Sequence, residues 1–298
     1  KRQVMATSVF NLKILILFLL LFAAASATFF RVKDVSKFLV DFDSVYQHIS
    51  VQDKFLPANK RTLRLLLVNR RCCQSGTIIE KPNDLIFPYT KYFLLGRYFL
   101  PQAKKFLMIG GGGYSFPKYL LANYPEATID VVEIDPKITE VATQYFYLKK
   151  NPRLHVYTQD GRVFLNKNKK KYDVIIIDVF HEFSVPFYLT TKEALKNVSR
   201  SLVDNGLVIT NVISDGTGPN SLFASQYLTY KSVFPEVYPL QVDASGYKKL
   251  RGTILIAFKN QPKKKLPSST TLIKEPQKGA KDMILLDKYA PVENMMIY

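Results

Sequence analysis

Four consecutive glycines, Gly110–Gly113, separate the apolar run Phe106–Ile109 from the segment Tyr114-Ser-Phe-Pro-Lys-Tyr-Leu120. No other feature restricts the fold as much. A short apolar run that ends in glycine and opens a helix is the strand–loop–helix junction of a doubly wound sheet, where a nucleotide meets backbone. Glycine permits the tight turn, and a helix start offers unpaired N–H groups. The dinucleotide spacing G-x-G-x-x-G is not met, because its third glycine falls on Ser115. By itself the loop fits NAD, a phosphate or an S-adenosyl ligand.

The surrounding pattern repeats the junction. Phe106–Ile109, Ile129–Glu133, Leu154–Tyr157, Val174–Asp178 and Leu207–Asn211 read as buried strands. Pro117–Asn123, Pro136–Phe146, Arg162–Asn166 and Lys192–Leu202 read as helices between them. Alternation of this kind predicts a mainly parallel sheet covered on both faces. A helix over Asn220–Val233 and an antiparallel pair, Val237–Val242 with Thr253–Phe258, close the domain. Upstream, Val45–Val51 and Arg61–Val68 read as strands of a smaller unit. Asn83–Leu100 turns helical after Pro88. The fold class is therefore α/β, divided as a hydrophobic segment (1–33), a small β domain (34–82), a Rossmann-like domain (83–260) and a basic tail (261–298). The tail is loose, except that Asp282–Val292 is apolar enough to dock again.

Acids close the strands that would border the crevice. Glu133 or Asp135 can accept both hydroxyls of a ribose. Asp160, in Thr158-Gln-Asp-Gly-Arg162, can accept from an adenine amino group. Asp178 ends the fourth apolar run, where it can stabilise a sulfonium or take a proton from an amine. Each also has an ordinary structural alternative: a cap, a turn or a salt bridge. Taken in order, the glycines, a ribose acid and an adenine acid favour an S-adenosyl ligand. His181 and Glu182 follow Asp178; no Cys/His grouping has zinc spacing, so no metal is expected.

The apolar run Ile14–Phe30, with Lys1, Arg2 and Lys13 before it and Arg31, Lys33 and Lys37 after it, predicts attachment to a membrane. Ala25-Ser-Ala27 also resembles a signal-peptidase site, so an anchor, the last span of a longer chain and a cleaved signal peptide stay open. The net charge of +18 comes largely from lysine runs such as Lys167–Lys171, read as solvated loops; no aromatic-interleaved basic motif points to nucleic acid.

At Val45-Tyr-Gln47, Phe87-Pro-Tyr89, Ile109–Ser115, Glu133-Ile-Asp-Pro136, Asp160-Gly161 and Asp178 the sequence resembles the polyamine aminopropyltransferases, the spermidine synthase family. It is most similar to the bacterial branch in which that domain follows membrane spans, which Asp287-Lys-Tyr-Ala-Pro-Val-Glu293 also suggests. The resemblance implies a methyltransferase-type S-adenosyl-binding fold and decarboxylated S-adenosylmethionine as donor. It implies that Gln47, Glu133, Asp160 and Gly161 hold the donor and that Gly110 and Gly112 make room for it. Tyr89 would line a site for putrescine or a similar amine, with Asp178 as base; Glu182, where the chain leaves the family pattern, is this chain's own candidate for a compensating contact to the amine. The resemblance further implies a homodimer and a cytoplasmic catalytic domain, where such metabolites are made. This chain departs from the family pattern at Gly113, where members usually carry Asp, at Val179-Phe-His-Glu182, and at Asp243-Ala-Ser-Gly246. A methyltransferase and a tethered, non-catalytic polyamine- or nucleoside-binding domain are the alternatives.

Overall fold

Parallel strands buried on both faces are apolar throughout, and this is how the larger sheet is built. The computed structural model describes residues 38–69, 72–180, 186–214, 216–242, 251–276 and 278–292. The expected membrane segment, His181, Glu182, Asp243–Gly246 and Glu293 lie outside them. Among the described residues no helix is long and apolar enough to cross a membrane.

An antiparallel meander comes first: β1 (Phe38–Asp43), β2 (His48–Leu56), β3 (Arg61–Val68) and β4 (Cys72–Ile78), in that spatial order. Two short helices follow, α1 (Pro88–Tyr92) and α2 (Leu95–Phe99). The strands β5 (Lys105–Ile109), β6 (Thr128–Glu133), β7 (Leu154–Thr158), β8 (Tyr172–Ile177) and β9 (Leu202–Ser214) then alternate with α3 (Ser115–Asn123), α4 (Pro136–Tyr145), α5 (Gly161–Lys167) and α6 (Lys192–Ser201). Helix α7 (Leu222–Lys231) leads to β10 (Glu236–Gln241) and β11 (Arg251–Phe258). The seven-stranded order is β10-β11-β9-β8-β5-β6-β7, with β11 antiparallel to both of its neighbours. From β5 the chain runs outward through β6 and β7, then returns to the other side of β5 at β8. That reversal makes β5/β8 the topological switch point, the place where open α/β sheets bind ligands.

Alternate residues of each strand serve opposite faces. Phe106, Met108, Val174, Ile176, Leu207 and Ile209 pack with Phe116, Leu120, Ile138 and Val141, and with Ile49, Val51 and Leu66 of the small sheet. Leu107, Ile109, Ile175, Ile177 and Val208 pack instead with Phe164, Leu195, Val198, Phe223 and Tyr227. The small sheet and α1–α4 thus cover one face, and α5–α7 the other.

Three expectations need correction. Val45–Gln47 is not strand: Ser44–Gln47 forms a turn closed by the Ser44 N–H on the Gln47 carbonyl (2.9 Å), and β2 starts only at His48. The tail is not loose around 271–273, because Gln241 N–H donates to Thr271 and Ile273 N–H to Pro239, extending the edge of β10. The lysine run at 167–171 is not wholly solvated. Lys170 Nζ reaches Asp130 and Tyr157 (2.7 Å each), and Lys171 caps the Arg200 carbonyl at the end of α6.

Candidate active site

Beyond Ile109 the chain must leave the sheet and enter α3 within a few residues. It does so with Gly110 at φ +94°, Gly112 at φ +51° and Tyr114 at φ +54°. A Cβ on Gly110 would lie 2.2 Å from the Asp178 carbonyl oxygen. One on Gly111 would lie 2.7 Å from the Tyr114 ring, and one on Gly113 2.6 Å from Ser75 Oγ. Only at Gly112 would a Cβ meet nothing nearer than 3.7 Å, although its left-handed backbone still favours glycine. At Gly110 the missing side chain admits the carbonyl of Asp178, which brings the ends of β5 and β8 together. Gly161 likewise admits Ile109, whose Cγ2 would be 2.5 Å from a Cβ there, seating α5 against β5.

Glu133 lies under this loop, almost wholly buried. Its Oε2 accepts from the Gly111 N–H (2.8 Å) and its Oε1 from the Asp135 N–H (3.0 Å). Burial pushes its carboxyl above the usual range, opposed by the N–H groups of Asp135, Gly111 and Gly112. Asp135 faces elsewhere. Its Oδ1 caps α4 at Lys137 N–H (2.9 Å), and its Oδ2 accepts from Ser44 Oγ (2.6 Å) and Gln47 Nε2 (3.4 Å). Of the two acids left open for a ribose, Glu133 therefore borders the glycine loop, and Asp135 ties the 44–47 turn of the small sheet to it. Gln47 is brought to this corner through that contact.

Asp160 caps α5, its Oδ1 accepting from the Val163 N–H (2.9 Å), and its charge lies near the Tyr188 hydroxyl, which burial and this carboxylate push above the usual range. Asp178 lies one residue past β8, with its N–H on the Ile109 carbonyl (2.9 Å). Asn211 Nδ2 donates to its Oδ1 (3.0 Å), and the Tyr89 hydroxyl lies near enough to favour its ionised form. Burial raises the Asp178 carboxyl to about 6, held down by Asn211 and Tyr89. Tyr89 is fixed by stacking on Phe87 (6.1 Å) and an edge contact with Phe93 (5.8 Å).

The structure thus gathers the glycine loop, Glu133, Gln47, Asp178 and Tyr89 around the β5/β8 switch point, with Asp160 at the next strand end. Sequence reasoning missed Asn211, Ser75 and Tyr188. Asn211 left a signal, a polar residue buried inside the apolar strand Leu207–Ile213. Ser75 and Tyr188 left none. Among the described residues no group of three or more His, Cys, Asp or Glu is arranged to hold a metal ion.

A carboxylate poised above its ordinary range, at the edge of a nucleotide-type crevice, suits proton removal beside a bound nucleoside. Comparison with known proteins identifies the family. The model of the spermine/spermidine synthase domain matches residues 93–266, more than half of the chain. The chain belongs to the spermine/spermidine synthase family. The polyamine aminopropyltransferase of Vibrio vulnificus is 33% identical over 187 residues, covering 61% of this chain and 61% of that protein. The chain thus spans about three fifths of that relative's length. A probable spermidine synthase from Corynebacterium glutamicum shares the fold, with TM-score 0.64 at 21% identity over 74% of this chain and 80% of that one. Human methyltransferase-like protein 13, solved in complex with SAH, matches with TM-score 0.54 at 26% identity, over 61% of this chain and 86% of that one.

Proposed function

We propose that this site transfers an aminopropyl group from decarboxylated S-adenosylmethionine to putrescine or a similar amine, releasing methylthioadenosine. The observation that carries the reading is the Asp178 carboxylate, held by Asn211 beside the glycine loop, with Tyr89 nearby. Glu133 keeps lone pairs free for the ribose hydroxyls, its backbone partners fixing its orientation. Asp160 accepts from the adenine amino group. Asp178 takes a proton from the substrate ammonium, and the freed lone pair attacks the methylene next to the sulfonium. The C–N bond forms as the C–S bond breaks, leaving a secondary ammonium and a neutral thioether. Asp178 then returns its proton to solvent. Juxtaposing amine and methylene supplies roughly 7–11 kcal/mol of barrier reduction in well-oriented systems, so positioning carries much of the rate.

The test is incubation with putrescine and either decarboxylated or ordinary S-adenosylmethionine, with nucleoside products followed by mass spectrometry. Methylthioadenosine formed together with spermidine, and lost in Asp178→Asn, supports the proposal. A second reading is a methyltransferase using the same crevice, favoured by the similarity to human methyltransferase-like protein 13. S-adenosylhomocysteine formed with an added methyl acceptor would establish it in place of the first. Ligand binding without any product would leave a binding domain. The same reading puts the domain on the cytoplasmic side of the membrane; cleavage by a protease outside intact cells would overturn that.

A further inference from the structure

The net charge of +18 is not spread evenly over the molecule. Parallel strands all start at one edge of their sheet, and the connections that lead into them gather there. Phe106, Val174 and Leu207 lie side by side near the starts of β5, β8 and β9, and Phe258, at the end of the antiparallel β11, lies beside Leu207. At this edge Lys105 opens β5 and Lys149 and Lys150 lead towards β7. The run 167–171 leads into β8, and Lys263–Lys265 follow β11. The lysines of all four stretches are exposed.

Contacts join these loops into one surface. Lys264 Nζ donates to the Tyr98 carbonyl and the Tyr98 hydroxyl to the Lys265 carbonyl (3.0 and 3.1 Å). Asp173, at the start of β8, accepts from the N–H groups of Lys104 and Lys105 (2.8 Å each). Between the ends of α5 and α6 lies an open hollow of about 620 Å³, lined by residues 166–171 and Arg200. Few acids answer the lysines. Glu126 pairs with Arg97 (3.0 Å), Asp204 with Lys259 (3.2 Å) and the buried Asp130 with Lys170 (2.7 Å). Among the described residues Lys149, Lys150, Lys167, Lys169, Lys263 and Lys265 have no ion pair. The acids Glu133, Asp135, Asp160 and Asp178 stand at the opposite edge, around the crevice.

We propose that the lysine edge rests on a membrane surface rich in acidic phospholipid, with the crevice turned away from it and open to solvent. Lysine is a compact charge on a flexible stem, so lysines on separate loops can meet a diffuse negative plane without fixed geometry. Recognition of nucleic acid would draw on arginine forks and free aromatic platforms. On this edge Tyr98 and Tyr124 already carry Lys264 and Arg97 over their rings (5.3 and 4.4 Å).

Acetylation of the full chain, read lysine by lysine by mass spectrometry, tests this on phosphatidylcholine vesicles with and without phosphatidylserine. Lys167, Lys169, Lys263 and Lys265 should be protected on the acidic vesicles only, and should react again in high salt. Lys281 and Lys288 should react equally throughout, because their segment packs at the crevice edge, where Lys281 N–H donates to Asn220 and Asp287 binds Arg162. In Lys167→Ala with Lys169→Ala, protection of Lys263 and Lys265 should fall by about fivefold for each lysine removed. The control pair Lys281→Ala with Lys288→Ala should leave it unchanged, and turnover without vesicles should be the same in every variant. Absence of protection, equal protection on neutral vesicles, or an equal loss in the control pair would overturn the inference. Stronger protection by a duplex oligonucleotide at the same phosphate concentration would overturn it in favour of nucleic acid. None of these outcomes depends on which nucleoside product the chain forms.

Discussion

Replacing Asp178 with Asn should make the protein more stable at neutral pH while abolishing turnover. Burial holds this carboxyl at about 6 instead of the ordinary 3.8, with Asn211 and Tyr89 pulling the other way. Between those values the folded chain keeps a proton that the unfolded chain has released, so stability falls as pH rises through the window. The displacement from 3.8 to about 6, at ~1.36 kcal/mol per pH unit, amounts to about 3 kcal/mol of cost once the group is ionised. Solvent reaches part of the residue, which reduces the cost to about 2 kcal/mol. Asn has the same shape and no charge to desolvate. For a unit of this size the gain corresponds to a Tm higher by about 4–8 °C at pH 7.5, and it should largely vanish by pH 4, where the native aspartate is protonated. Thermal unfolding followed by circular dichroism at the two pH values measures it. Equal Tm values at pH 7.5 would show that the carboxylate is not desolvated, and a gain that persists at pH 4 would trace to packing; either refutes the argument.

The same carboxyl sets a rate profile: kcat/KM should fall on the acid side with a midpoint at about 6, because the base must be ionised in the free enzyme. Asn211→Ala removes an N–H that favours the ionised form, so pH–rate measurements should find that midpoint raised by about one pH unit; an unmoved limb would deny Asn211 its role. Gly110→Ala combines a φ of +94° with a Cβ 2.2 Å from a carbonyl oxygen and should cost more than about 2 kcal/mol in urea unfolding. Gly112→Ala, with strain but no collision, should cost about 1–2 kcal/mol in the same assay. Gly113→Ala should be destabilising alone and partly rescued by Ser75→Gly, as read by a double-mutant cycle, because the two side chains claim one space.

Much of this was legible because parallel strands buried on both faces leave long apolar runs, and because an acid that ends such a run must stand at the sheet's edge. Glu133 and Asp178 were found in that way, without any knowledge of their partners. What escaped was anything that depends on contact between distant parts of the chain. Nothing near Asp287 in sequence announces Arg162, 125 residues away, and nothing near Asp135 announces Ser44, 91 residues away. Asp178 was visible as an acid, but Asn211, which holds it, and Tyr89, which lies near it, come from β9 and α1. The glycine loop shows the limit most clearly. Its composition correctly marked a place that side chains must vacate, yet at Gly110, Gly111 and Gly113 the intruder is the protein itself: a carbonyl of Asp178, the ring of Tyr114 and the hydroxyl of Ser75. This bears on the departure at Gly113. A carboxylate-bearing residue there would need the volume that Ser75 fills, so glycine at 113 and a side chain at 75 belong together as one packing solution.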